Sequence, residues 1–595
     1  MSADAQALPR HARPTGPNYK WVALSNTTLG VLLGAMDSSI ILISLPNIFK
    51  GLHVNPLVPA ETGNLLWMLL GYQVVTATLL VSLGRLADVR GRVRIYNLGF
   101  LIFSIGSVLL YIVPELTPQL GDTAVFELIM FRLVQGVGAA CLIANSTAIL
   151  TDAFPPRQRG LALGINMVAA LGGSLVGLLL GGFLAAISWR WVFLISVPFG
   201  IIGTIWAYVS LREQSTRRGA THVDILGNVF LGGGLVLILV ALTYGLLPYG
   251  NSNVGWSNPW VIGGVIAGVA MLVAFVLVER RIREPLFNLA LFKIRPFTVG
   301  SIAQFLVSIA YGGLQLIFII WLQGIWLPLH GYRFEDTPLY SAIYLIPLLI
   351  GYMIFGVTSG WLSNRLSPRM VTTGSMLVLS AAFLILRTFP ADFQYVWFAI
   401  ILFVIGAAFG AFSAPNTTSV MNALPPQFRG VGSGMRSTFQ FAGNPLSLSV
   451  YFTVMILALS TSLPTSIRAG LQQNGVPEQA IATITRLPPT GALFAVFLGY
   501  NPMQTLLPPQ VLQALGPQAQ ANLLSTTFFP STISDSFMTA LSAVFLFSAL
   551  LTLLAAIFSA IRGPRFVYEE SANEQRQDID RALQRQSLAT ASGGK

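Results

Sequence analysis

GRLADVRGRVR, residues 84 to 94, sets five charged side chains into eleven residues of a chain in which only 9% of residues are charged. It separates GNLLWMLLGYQVVTATLLVSL (63–83) from IYNLGFLIFSIGSVLLYIV (95–113), and each flank is long enough for a helix that crosses a bilayer. A charged turn between two such runs is a loop held in water between membrane spans. The rest of the chain supports this reading. With 595 residues, 54% hydrophobic content and a mean hydropathy of +0.70, it has too little polar surface to cover a soluble fold of its size. The short alternating strands of a membrane β-barrel are absent, so helices are left to satisfy the backbone in lipid.

The apolar runs predict fourteen spans, starting near residues 21, 63, 95, 123, 161, 190, 225, 259, 297, 338, 370, 394, 432 and 535. An even number puts both tails on one side. The tails and the loops after even-numbered spans hold 26 of the 34 Lys and Arg, which predicts that this side is cytoplasmic and that the chain resides in the cell membrane. The net charge of +12 is therefore an effect of topology, and no basic patch with interleaved aromatics points to nucleic acid. The polar start MSADAQALPRHARPTGPNYK, followed by a long apolar run, carries no expectation of signal cleavage.

Other function classes find no support. The single cysteine, Cys141, cannot form an intramolecular disulfide, and His11, His53, His222 and His330 are scattered. No metal cluster or Ser/His or Cys/His grouping follows from them, so neither an enzyme nor a cofactor is expected. None of the four lysines follows a phosphate-binding glycine loop, which argues against ATP as an energy source.

The chain also repeats itself. FPPRQRGLALG (154–164) returns as LPPQFRGVGSG (424–434): Pro155, Pro156, Arg159, Gly160, Gly164 and Gly173 reappear 270 residues later as Pro425, Pro426, Arg429, Gly430, Gly434 and Gly443. GRLADVRGRVR itself returns weakly as GWLSNRLSPR, with Gly360 and Asn364 spaced like Gly84 and Asp88. The offset predicts two six-helix bundles, spans one to six and nine to fourteen, with two helices inserted between them. The expected boundaries are a 1–20 tail, a 21–210 bundle, a 211–296 linker with the inserted helices, a 297–561 bundle including an outer insertion at 460–534, and a 562–595 tail. Two bundles around a midplane cavity make a transporter.

GRLADVRGRVR resembles the loop signature of the major facilitator superfamily, with Gly84, Leu86, Ala87, Asp88, Gly91 and Arg92 in place. The fourteen-helix drug:proton antiporter family of that superfamily is resembled more widely, from about residue 21 to 565. LIMFRLVQGVGAA matches its fourth-span motif through Arg132, Gln135, Gly136 and Gly138, and Gly164, Gly173, Gly177, Gly181 and Gly182 keep its fifth-span antiporter spacing. WRWVFLISVPFG, with Ser196 in place of Asn, and the pair Trp67 and Tyr72 are also similar. LGAMDSSIILISLP resembles the first-span motif through Asp37 and Pro46. Two departures stand out: Leu178 where the family has proline and Leu42 where it has Asn. The resemblance implies a secondary exporter of amphipathic small molecules, working by alternating access and driven by protons. A lipid or hydrophobic-metabolite exporter with weak or absent coupling is the alternative that the departures leave open.

The residues assign roles within that scheme. Gly84 and Gly91 allow close backbone approach, and Asp88 and Arg92 are suited to a charge-assisted latch between the halves on the cytoplasmic side. Asp37 is the acid placed well inside a span, and a carboxylate there costs roughly 2.5–3.5 kcal/mol, which a purely packing role would not explain. Asp37 lies nine residues before Pro46 on an outward-running helix and Arg132 nine after Thr123 on an inward-running one, so both sit roughly 14 Å below the outer surface. Desolvation favours the protonated acid and Arg132 the ionised one, so a movement that separates them is suited to coupling a proton; a static buried ion pair is the alternative. Trp67, Tyr72 and Gln73 on the second span and Gln304, Tyr311 and Gln315 on the ninth are the candidate cavity lining, with aromatic and amide groups that suit amphipathic substrates, cationic ones included. Arg436 has no acidic neighbour at helical spacing, and either faces the cavity or extends to the cytoplasm.

In the outer segment, AGLQQNGVPEQAIATITRL predicts two short helical pieces broken at Gly475 and Pro477. GALFAVFLGY is too short to cross, and is expected to pack on the outer mouth or on membrane lipid.

Overall fold

The structure is a computed structural model that describes residues 18–563, apart from 54, 56, 118–120, 156–157, 214–223, 251, 283–286 and 426–427. Most of the two tails, His11, His222 and the repeat residues Pro156 and Pro426 lie outside the described residues. Among the described residues, fourteen helices are long and apolar enough to span a membrane: Tyr19–Gly51, Leu66–Arg90, Arg92–Val113, Thr123–Ala153, Leu161–Ile187, Trp191–Ser210, Leu226–Tyr244, Pro259–Glu279, Arg295–Leu329, Phe334–Gly360, Pro368–Leu386, Tyr395–Asn422, Val431–Gln473 and Phe528–Ala560. They are called the first to fourteenth spans below. Gly91, at φ 111°, makes the turn between the second and third, a conformation that a side chain would strain.

The repeat in sequence is a repeat in packing. Gly173 of the fifth span lies against the first span, where an added Cβ would fall 2.5 Å from the Leu32 carbonyl oxygen. Gly443, 270 residues on, lies against the ninth span in the same way, with a Cβ 2.7 Å from the Ser308 Cβ. Each bundle thus seats its fifth helix on its own first. The inserted helices form a hairpin beside the second span, where Trp67 meets Tyr244 of the seventh span edge-on, with ring centroids 6.3 Å apart. The eighth span is peripheral, and Trp260 at its start is 88% exposed.

The two bundles touch at the face opposite the chain termini. There a Cβ at Gly182 would fall 2.6 Å from the Leu339 Cα of the tenth span, Gln323 Nε2 donates to the Ile43 carbonyl at 3.3 Å, and Lys50 pairs with Glu335 at 3.3 Å. Gly164 stands five helical turns, roughly 27 Å, from Gly182 on the same face of the fifth span. It is exposed and a Cβ there would meet nothing within 4 Å. On the tenth span, Val357 is likewise 60% exposed. The bundles are closed at the far face and apart at the terminal face, so the space between them opens toward the termini.

The outer segment departs from the sequence reading in one respect. Helix Arg429–Gln473 runs 45 residues and absorbs the beginning of the segment, and Gly475 (φ 71°) and Pro477 then break the chain before Glu478–Ile484. Pro489–Phe497, expected at the outer mouth or on lipid, is buried along its whole length rather than lying on lipid, and is bent 86° from the preceding helix. Its partner is the ninth span, which opens into a π-helical turn at Leu322–Trp326. Gly324 in that turn leaves the space that Val496 fills, and Phe494 packs on Phe452 with ring centroids 5.6 Å apart. The segment therefore plugs the far face from within. Phe494→Ala is expected to cost about 3–5 kcal/mol, read as a lower unfolding temperature of the purified protein.

Candidate functional site

Four helices of the first bundle meet at Asp37. Arg132 Nη1 donates to Asp37 Oδ2 at 2.7 Å, and Gln135 Nε2 donates to Asp37 Oδ1 at 2.8 Å. Gln135 Nε2 also donates to Ser107 Oγ of the third span at 2.8 Å, and its Oε1 accepts from Arg132 Nη1. The Tyr72 ring of the second span covers the guanidinium, 4.3 Å from its carbon. Asp37 is 0% exposed and the Arg132 side chain 3%. A carboxylate and a guanidinium are thus removed from water together, each oxygen of the acid engaged by a different donor.

The first span can hold the acid there because the fifth comes unusually close. Gly173, Gly177 and Gly181 repeat every four residues, and added Cβ atoms would fall 2.5, 2.3 and 2.9 Å from the carbonyl oxygens of Leu32, Met36 and Ile40, which repeat every four residues too. Backbone lies on backbone in register, and Ser39 Oγ donates to Ser174 Oγ at 2.9 Å across the seam. Leu178, which stands where the family has proline, is buried in the core. On the opposite side of Asp37, Gly34 is buried yet has no atom within 4 Å of a Cβ position, and Ser38 is half-buried. The acid is one helix face away from the space between the bundles.

The charged loop forms a second network. Arg92 Nε donates to Asp88 Oδ1 at 2.8 Å and its Nη1 to Asp152 Oδ2 at 2.6 Å, while the Glu213 carboxylate accepts the backbone N–H of Arg92 at 3.0 Å and of Val93 at 3.1 Å. Gly91 leaves room for Glu213, and Gly84 packs loosely on Ala144. These partners come from the second, third and fourth spans and from the chain leaving the sixth. Where sequence suggests a latch between the halves, the bonds seen here close within the first bundle, because the bundles are apart at this face.

Of the six residues expected to line the cavity, two do other work. Tyr72 is 4% exposed and spent on Arg132. Gln304 is 1% exposed, accepts from Asn416 Nδ2 at 3.3 Å and donates to Ser308 Oγ at 3.4 Å, so it ties the ninth span to the twelfth. Trp67 is half-buried against the seventh span. Gln73, Tyr311 and Gln315 are half-buried, and among the described residues the Gln73 Oε1 and Gln315 Nε2 have no hydrogen-bond partner. Tyr311 stacks on Phe409 at 3.8 Å and 6°, and Tyr352 meets the same ring edge-on at 5.0 Å. Among the described residues no group of three or more His, Cys, Asp or Glu is placed to hold a metal.

The family model for the Major Facilitator Superfamily matches residues 27–249 and again residues 226–448. The chain belongs to the Major Facilitator Superfamily. It is a multi-pass membrane transporter, and the proteins it resembles include some named for drug resistance or export. It is 28% identical over 469 residues to the multidrug resistance protein 3 of Bacillus subtilis, covering 77% of this chain and 85% of that one. It is 26% identical over 484 residues to the tetracenomycin C resistance and export protein of Streptomyces glaucescens, covering 80% and 84%. Among solved superfamily structures, the bacterial homologue of the human lysosomal transporter Spinster, in an inward-facing and unoccupied conformation, aligns with a TM-score of 0.53 at 17% identity, covering 93% of this chain and 100% of that one. That likeness is one of fold.

Proposed function

We infer that this facilitator-superfamily protein is a secondary exporter of amphipathic small molecules, working by alternating access in exchange for protons. The observation that carries the reading is the buried Asp37–Arg132 pair beside the space between the bundles. A charge pair in that position is costly to bury, and it changes its proton affinity whenever the helices carrying it separate. The names of the relatives, multidrug and antibiotic resistance proteins, support the substrate class. Residues 21–210 and 297–561 serve as the two rocking bundles, 211–296 as the linker with its two extra helices, and the terminal face is cytoplasmic in the cell membrane. An uncoupled exporter of lipids or hydrophobic metabolites is the second reading, favoured by Leu42 and Leu178. Dye efflux from an efflux-deficient host separates the two. Coupled export stops when an uncoupler is added, and the second reading predicts that it continues.

Orientation is tested in a Cys141→Ala background, since the one native thiol is buried. Cysteines placed at Ser215 and Ser571 are expected to be shielded from an impermeant thiol reagent in whole cells, and one at the exposed Gln513 to react; labelling of the first two would reverse the topology.

The charged loop is assigned to cycling. Asp88→Asn removes the charged acceptor for Arg92 but leaves Asp152, so the protein is expected to express normally. Charge-assisted bonds are worth about 1.5–3 kcal/mol, enough to shift a two-state balance by about tenfold, and slower turnover is the expected readout. Unchanged turnover would leave Asp88 a topology anchor only.

A further inference from the structure

The first bundle pairs its buried Arg132 with a carboxylate, and the second leaves its buried Arg436 without one. Arg436 of the thirteenth span stands 270 residues after Asn166 of the fifth, so the repeat gives the two the same place in their bundles. Asn166 is met by a neutral partner, donating to Ser146 Oγ at 3.3 Å. Arg436 is 8% exposed, and among the described residues no carboxylate comes within ion-pairing distance of it. Its Nε is buried without an acceptor, and its Nη1 makes a long, 3.4 Å bond to Gln440 Oε1 one turn on. A guanidinium held in that way is uncompensated charge in a medium that solvates it poorly.

A cluster of aromatic side chains lies close to it. Tyr352 of the tenth span lies near Arg436. Its ring meets Phe409 edge-on, and Phe409 lies flat against Tyr311, so the three aromatic rings form one cluster with Tyr352 at the end nearer Arg436. Gln315, one turn beyond Tyr311, adds a second buried donor without a partner, its Nε2. Unsatisfied N–H groups next to stacked rings select a ligand that combines an aromatic body with an acceptor oxygen, and the fixed positive charge prefers that oxygen ionised.

We propose that Arg436, Gln440, Tyr352, Phe409, Tyr311 and Gln315 form a substrate subsite in the second bundle that takes aromatic amphipathic anions, compounds bearing a carboxylate, sulfonate or phenolate, in preference to cations. This rests on the exporter reading and narrows its substrate class. It also reverses the preference for cations that aromatic residues alone suggest: the acid of the first bundle is spent on Arg132, and the charge left over is positive.

The test uses the full chain in lipid nanodiscs and two dyes of one ring system, anionic fluorescein and cationic rhodamine 6G, followed by fluorescence polarisation, with export of both measured in everted membrane vesicles. The wild type is expected to hold fluorescein about tenfold or more tightly than rhodamine 6G. Arg436→Gln is expected to lose that tenfold or more for fluorescein while rhodamine 6G binding is kept, and Arg436→Lys to retain part of it. Equal affinity of the wild type for the two dyes, or unchanged fluorescein binding by folded Arg436→Gln protein, overturns the subsite. If Arg436→Gln does not fold, competition on the wild type gives the same answer: 2-naphthalenesulfonate should displace fluorescein at a concentration about tenfold lower than 2-naphthalenesulfonamide, and equal potency overturns the proposal. Vesicles that export rhodamine 6G and ignore fluorescein refute the subsite and leave the exporter reading standing. Fluorescein bound through Arg436, with neither dye moved, refutes the exporter reading and leaves the subsite.

Discussion

Gly177→Leu is expected to abolish folding or transport, whereas Gly164→Leu, in the same helix and the same glycine motif, is expected to be tolerated. At Gly177 an added Cβ falls 2.3 Å from the Met36 carbonyl oxygen and 2.9 Å from its Cα. Those are backbone atoms, and the contact is relieved only by moving the first and fifth spans apart. Gly173 and Gly181 lock the same seam one turn to either side, against Leu32 and Ile40, so the displacement cannot stay local. Overpacking a dense interior costs about 1–3 kcal/mol for a small group, and Gly177→Ala is expected to fall there, with Leu beyond it. Met36 adjoins Asp37, so the movement also reaches the charge pair. At Gly164 nothing lies within 4 Å, and thermal unfolding of Gly164→Leu protein should match the wild type. Equal stability of the two leucine variants would contradict the packing of the first and fifth spans described above.

The second large effect is at Asp37. Asp37→Asn keeps one acceptor oxygen, for either Arg132 or Gln135, sets an amide N–H group against the other donor, and can neither ionise nor release a proton. Export against a concentration gradient should be lost, and substrate binding should survive. Stability should fall as well, because Arg132 remains buried and charged with its counterion removed, a loss of about 3–5 kcal/mol when one member of a buried pair is deleted. Neutralising Arg132 in the same protein should restore the stability and leave uphill export absent. That combination distinguishes coupling from a static pair, which would predict rescue of transport along with the fold.

Much of this fold is legible in the sequence. Span number followed from long apolar runs, and the two-bundle plan from the 270-residue echo, because both are one-dimensional patterns. The contact of Asp37 with Arg132 followed from equal depth on antiparallel helices. Depth does not give rotation about a helix axis, which is why Ser107 was missed and why Tyr72 and Gln304 were expected to face the cavity when they are engaged by Arg132 and Asn416. The glycine spacing announced a close helix contact without naming the first span as its partner. Pro489–Phe497 misled for a different reason: an apolar stretch too short to cross a membrane reads alike whether lipid or protein covers it, and the gap at Gly324 that receives Val496 lies more than 160 residues away in the chain. The charged loop showed its bonding groups, but which partners it meets depends on whether the bundles are apart or together at the terminal face.

Proton-coupled export is the central claim, and the wild-type protein in sealed liposomes addresses it most directly. Fluorescein and rhodamine 6G are supplied at equal concentration on both sides of the membrane, and a pH gradient is then imposed without any gradient of dye. The account predicts that at least one dye is driven against its own gradient, that the direction reverses with the pH gradient, and that a protonophore abolishes the effect. Movement that stops at equal concentrations whichever way the pH gradient points would contradict it.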